Sequence, residues 1–152
     1  MMINVNVNTG QPIYDLIAIL EDAKKGYLNA AEKIRDNVLS LLLEKYGYER
    51  GRYIIELKQL VKRFDIISPI DEFTLSLLHR TWMDMKTTFK LGQKQAIILA
   101  CIKGEENAIK NYGNAIKQIL NNEEIKLVLE KQANAIKNGL NSIKEYISNT
   151  PK

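Results

Sequence analysis

The sequence is short of the side chains that usually carry chemistry. It has one cysteine, Cys101, and one histidine, His79, in 152 residues. A single cysteine excludes an internal disulfide framework and a cysteine zinc site, and a single histidine excludes a multi-histidine metal centre. There is no glycine-rich phosphate loop, nucleophile elbow or Ser/His/Asp ordering. Only 3 prolines and 8 glycines punctuate the chain, so long uninterrupted elements are expected. The longest apolar run, residues 96–102, is too short to span a bilayer, so no membrane role is expected. Residues 1–10 have neither a basic start nor an apolar stretch and are not expected to be a signal peptide, which points to a cytoplasmic protein. The net charge is only +4, from 22 basic and 18 acidic residues. The basic residues are interleaved with acids, and the tightest pairs are Lys24-Lys25 and Lys62-Arg63. They read as a solvated surface, so nucleic acid is not an expected partner.

What is present is helical periodicity. Apolar residues make up 45% of the chain and charged residues 26%, the balance of one folded domain. Residues 1–9 alternate Ile3, Val5 and Val7 with asparagines. A lone strand would lack a partner, so residues 1–10 are expected to be a tail or a subunit contact. From Pro12, apolar residues recur at three- and four-residue steps: Ile13, Leu16, Ile17, Leu20, Ala23, Tyr27, Ala30, Ala31, Ile34 and Val38. This predicts a first helix over about 11–35. Asp36 and Asn37 read as a cap and turn. A second helix follows, with Leu39, Leu42, Tyr46, Tyr53, Leu57, Leu60 and Phe64 inward. Gly47 and Gly51, four apart, offer a neighbouring helix a close approach.

Ser68-Pro69-Ile70-Asp71 is a helix-start signal. It predicts a shorter helix with Phe73, Leu77, Leu78, Trp82, Met85 and Phe89 on one face, ending near Gly92. A third long helix is expected over about 93–120, with Ile97, Ile98, Cys101, Ala108, Tyr112, Ala115, Ile116 and Ile119 inward. Asn121-Asn122-Glu123-Glu124 turns the chain into a fourth. That helix is expected to bury Ile125, Val128, Leu129, Ile136, Leu140, Ile143 and Ile147 and to end near Ser148, with a tail over 149–152. Two tight hairpins joined by a long crossover that carries an extra short helix make an all-α, ferritin-like four-helix bundle over 11–148. A repeat agrees: residues 27–34 resemble 112–119, and 41–45 resemble 127–131, at offsets of 85 and 86.

Four carboxylates fall on or near the inward stripes: Glu21 at an edge, Glu49 and Glu56 on the second helix, and Glu105 near the middle of the third. Helix depths place Glu21, Glu56 and Glu105 in one layer, with Glu49 a turn away beside Lys24. Tyr27, Tyr46, Tyr53, Tyr112 and Gln132 share this interior. Isolated carboxylates do not stay ionised in an apolar core. Either they hold a divalent cation, iron or manganese, or Lys24, Arg50, Arg52 and the tyrosine hydroxyls satisfy them as an inert polar layer. Di-iron bundles use Glu-x-x-His on two helices, and this chain has none. His79, Trp82 and Met83 on the crossover are candidates for a subunit contact, since aromatics and Met are enriched at interfaces. Cys101 is expected to be a packed, inert thiol.

The segment Leu78-His79-Arg80-Thr81-Trp82-Met83-Asp84-Met85-Lys86 resembles a Leu-His-Arg-Gly-Trp-Met-Asp-Leu-Lys segment of a family of uncharacterised bacterial proteins, domain of unknown function 2383. Asp22-x3-Gly26-Tyr27, Ala30-Ala31-Glu32, Glu56-Leu57 and Gly104-Glu105-Glu106 running toward Tyr112 are further marks, so the resemblance covers residues 11–148. It implies a ferritin-like fold and no established activity. The expected function is therefore a non-catalytic structural or interaction protein, dimeric, with no certain cofactor. The alternative is a carboxylate bundle that binds iron or manganese in a stress-related role.

Overall fold

The computed structural model describes residues 5–67, 94–119 and 121–149, with side chains from Gly10 onward. Four helices fill these stretches: α1 (Val5–Lys33), α2 (Asn37–Arg63), α3 (Lys94–Gln118) and α4 (Glu123–Asn149). The fold is an all-α four-helix bundle. The predicted crossover helix, with His79, Trp82 and Met83, lies outside the described residues. Among those described, no helix is long and apolar enough to cross a membrane.

Local signals set most of the boundaries. Asp36 caps α2 by accepting a hydrogen bond from Leu39 N at 3.0 Å. Asn122 does the same for Ile125 N at the start of α4. Helix α2 stops through two bonds that close its last turn, Ile66 N to Val61 O and Asp65 N to Lys62 O. Asp65 takes the left-handed conformation (φ 50°) that this stop requires, and buried Ile66 seals it. The start of α1 differs from expectation. It is helical from Val5, so Pro12 sits inside the helix and not in its first turn, and residues 5–10 form neither tail nor strand.

Around the bundle, α1 packs on both α2 and α3, α3 packs on α4, and α2 and α4 barely touch. The pairs α1/α4 and α2/α3 are diagonal. Asp36, in the turn between α1 and α2, meets Lys94 at the start of α3 (2.7 Å) and Tyr146 near the end of α4 (2.7 Å). At the other end Arg63 of α2 pairs with Glu124 of α4. Helix α2 thus ends, and α3 begins, at opposite ends of the bundle. The two hairpins are joined by an end-to-end connection, and α1 and α3 run antiparallel.

The apolar core falls into two clusters. One holds Ile13 to Leu20, Ile54, Leu57, Leu60, Tyr112, Ile119, Ile125, Leu129 and Ile136. The other, toward the Asp36 end, holds Tyr27, Ala30, Ile34, Leu39, Leu43, Tyr46, Ile97, Cys101 and Ile143. Two residues expected inside are outside: Val38 is 60% exposed and Ile147 39%. Each lies at the margin of its stripe, where the bundle no longer covers it. Gly47 allows α1 to come close, since a Cβ there would lie 2.8 Å from Leu28 Cδ2.

Candidate functional site

Where the two apolar clusters meet lies a polar layer. Its centre is Arg50, 1% exposed, which projects from α2 across the bundle axis to Glu105 on the diagonal helix α3. The Arg50 Nη2 atom donates to Glu105 Oε2. The two helices have no close backbone approach, and the long arginine side chain spans the distance. The guanidinium is boxed by three rings, with Tyr27, Tyr46 and Tyr53 centroids 5.5, 5.9 and 5.6 Å from Cζ. Tyr27 and Tyr46 meet edge-on at 5.8 Å. Glu49 lies 3.9 Å from Arg50 Nη1.

A second set of hydrogen bonds continues the layer to α4. Tyr112 donates to Gln132 Oε1 at 2.7 Å. Gln132 Nε2 donates to Glu56 Oε1 at 3.2 Å and to the Tyr53 carbonyl at 3.4 Å. Tyr46 donates to the Gly139 carbonyl at 3.2 Å. Gly139 leaves room for that ring, since a Cβ there would lie 3.2 Å from it. These bonds tie α2 to α4, the neighbouring pair with the least packing.

Burial governs the electrostatics. It pushes the Glu105 carboxyl up, against the pull of the Arg50 charge and its hydrogen bond and of the Tyr27 hydroxyl. Burial also opposes the charge on Arg50, but Glu105 outweighs it and holds the guanidinium above its usual value. Tyr27, Tyr112 and Cys101 are all pushed up, mainly by burial, so none is a ready nucleophile. Three buried atoms, Arg50 Nε and Nη1 and Glu105 Oε1, have no hydrogen-bond partner among the described residues.

The four expected acids do not converge. Glu105 is fully buried, as its place on the stripe required. Glu49 is half-buried beside Arg50. Glu56 is exposed at the edge of the layer. Glu21 is exposed and pairs with Lys58 at 3.4 Å. Asp22, the next residue, is buried. Among the described residues, no three His, Cys, Asp or Glu side chains are grouped so as to hold a metal ion. The site does not fit iron or manganese: between Glu49 and Glu105 stands a guanidinium, a fixed positive charge with five donors and no acceptor.

The residues of this layer come mostly from the first three helices. Residues 8–118 match the family described as Domain of unknown function (DUF2383). The chain belongs to that family. The DUF2383 match includes Tyr27, Tyr46, Arg50, Tyr53, Glu105 and Tyr112, and it ends where α3 ends. Helix α4, with Gln132 and Gly139, lies beyond it. No curated protein and no solved structure matches the chain.

Proposed function

We propose that the chain is a non-catalytic structural and interaction protein of ferritin-like kinship, working as a dimer. The observation that carries this reading is the Arg50–Glu105 pair. At the level where a carboxylate bundle would bind a divalent cation, the chain supplies its own tethered cation. The tyrosines around it carry raised pKa values and are committed to packing or to hydrogen bonds. The end-to-end connection between two hairpins supports the ferritin-like kinship. The segment holding His79, Trp82 and Met83 is the expected dimer contact.

The test is elemental analysis of untagged protein grown with added iron and manganese, together with sedimentation. The expected result is a dimer with less than stoichiometric metal. Stoichiometric iron or manganese, lost in a folded Glu105→Gln variant, would overturn the reading in favour of the metal-binding alternative. A strict monomer would remove the dimer.

A further inference from the structure

The face of α2 opposite the core is unusually apolar. Leu41, Tyr48 and Ile55 are 69, 58 and 58% exposed and recur every seven residues, the spacing at which one helix meets another along a seam. Single exposed apolar residues need no explanation, but an ordered row does. No other helix presents such a row among the described residues: Leu99 stands alone on α3, and Leu127 and Ile147 lie far apart on α4. Charge does not choose an occupant, since exposed Glu44 flanks the row on one side and exposed Lys45 and Arg52 on the other.

Connectivity does choose. Helix α2 ends in the turn at Asp65, and α3 begins at the opposite end of the bundle, beside Asp36. The chain between them, residues 68–93, lies outside the described residues and has to return the full length of α2. As a helix begun at Ser68-Pro69 it spans about 39 Å, against about 40 Å for the 27 residues of α2. Its sequence carries a seam of its own, Leu75, Leu78, Trp82, Met85 and Phe89, in alternate steps of three and four. Two helices that fold back at Asp65 bring residues equally distant from it to one level. Ile55 and Leu75 are each ten residues from Asp65, Tyr48 and Trp82 seventeen, and Leu41 and Phe89 twenty-four. All three exposed residues of the row therefore meet an apolar residue of the same heptad spacing. We infer that the outer face of α2 is the docking surface for the chain's own residues 68–93, packed antiparallel as a further helix with Trp82 over Tyr48. This goes beyond the reading above. It gives Trp82 a partner within its own chain, and the contact between subunits then falls to the outward side of the same segment.

The single tryptophan reports the docking directly. In the full chain Trp82 emission is expected to be blue-shifted, and its quenching by acrylamide several-fold weaker than in urea. Tyr48→Ser, or Leu41→Ser/Ile55→Ser, is expected to red-shift the emission and restore the quenching, with circular dichroism checking that the bundle stays folded. Cross-linking with a short bismaleimide fixes the register. Cys101 is buried with its thiol pushed up, so it does not compete. The level pairs Ile55→Cys/Leu75→Cys and Leu41→Cys/Phe89→Cys are expected to link within one chain about tenfold faster or more than Ile55→Cys/Phe89→Cys and Leu41→Cys/Leu75→Cys, which stand about 21 Å out of register. Loop closure alone would instead make the Leu41/Phe89 pair, which closes the longest loop, the slowest of the four. A freely quenched Trp82 in the full chain, emission indifferent to Tyr48→Ser, or equal rates for level and mismatched pairs would overturn the inference. So would links that form only between chains and slow on dilution, which would place a second copy on this face. Metal content and sedimentation test the broader reading separately, so failure here removes the α2 docking and leaves that reading standing.

Discussion

Two ion pairs join distant parts of this bundle, one at its centre and one at its end, and their surroundings give them opposite characters. Arg50 and Glu105 are each 1% exposed and cross a diagonal shielded from bulk solvent. Asp36 and Lys94 are 12 and 38% exposed at the bundle end, where Asp36 also caps α2 and accepts from Tyr146. In the interior, desolvation cancels most of the attraction, so the pair contributes little net stability although loss of either partner is severe. At the end, charge costs little to hold, and each bond adds a small, separable amount.

The largest effect tests the centre. Arg50→Met leaves Glu105 buried without its counter-charge and is expected to cost about 3–5 kcal/mol in urea unfolding. Glu105 then folds with its pKa raised above the unfolded value. The variant therefore keeps most stability below the unfolded carboxyl range and loses it as pH rises. Arg50→Met/Glu105→Leu, which removes both charges, is expected to recover most of the loss. If it is as unstable as the single variant, the pair itself is stabilising and the contrast fails.

Next comes the bundle end, where Asp36→Ala removes a helix cap and is expected to cost about 1 kcal/mol. The Leu39 amide, then Lys94 and Tyr146, hold the Asp36 carboxyl down at about 2. A lowered folded pKa means that its contribution is present above the unfolded carboxyl range and is lost as pH falls toward 2. The stability difference between wild type and Asp36→Ala, followed from pH 6 to pH 2, is expected to shrink over that lower range. Gly139→Ala sets a methyl group 3.2 Å from the Tyr46 ring against the better helix propensity of alanine, worth about 1 kcal/mol, so the two offset and the urea midpoint is expected to move by less than about 1 kcal/mol in stability. The smallest effect is at the exposed Glu21–Lys58 pair, where Lys58→Ala is expected to change stability by less than about 0.5 kcal/mol.

Most of the fold was legible because stripe and caps agree. Ile13, Leu16, Leu20, Tyr27, Leu39, Leu57, Ile97, Ile125 and Ile136 all lie where their spacing puts them, Asp36 caps as expected, and the Asn121–Glu124 turn opens α4 with Asn122 as its cap. The site was half legible. Glu105 and Gln132 occupy the interior as their stripes require. On α2, however, the apolar positions Tyr46 and Tyr53 left a gap that either Glu49 or Arg50 could fill, one residue or about 100° apart. Leu43, Ile54 and Leu57 are buried and decide it for Arg50. That pattern, Leu39-Leu43-Tyr46-x-Ile54-Leu57-Leu60, was present in the sequence as the signal for a buried arginine. The layer assignment failed for a different reason. The repeat pairs Glu105 with position 20, but α1 and α3 run antiparallel, so equivalent positions are not at equal heights. Glu105 comes level with Tyr27 and Arg50, a turn or two away from Glu21.

The seam between α2 and α4 has a consequence for motion. Apart from the Arg63–Glu124 pair at one end, its contacts are a short ladder of hydrogen bonds through Gln132, Tyr46 and Tyr53, beside an open groove, whereas α1 is packed tightly along α2. Strain or heat will therefore part the bundle along this line first, with each hairpin moving as a unit. The amides of α4 facing the groove will exchange with solvent well before those of α1, while the molecule as a whole is still folded.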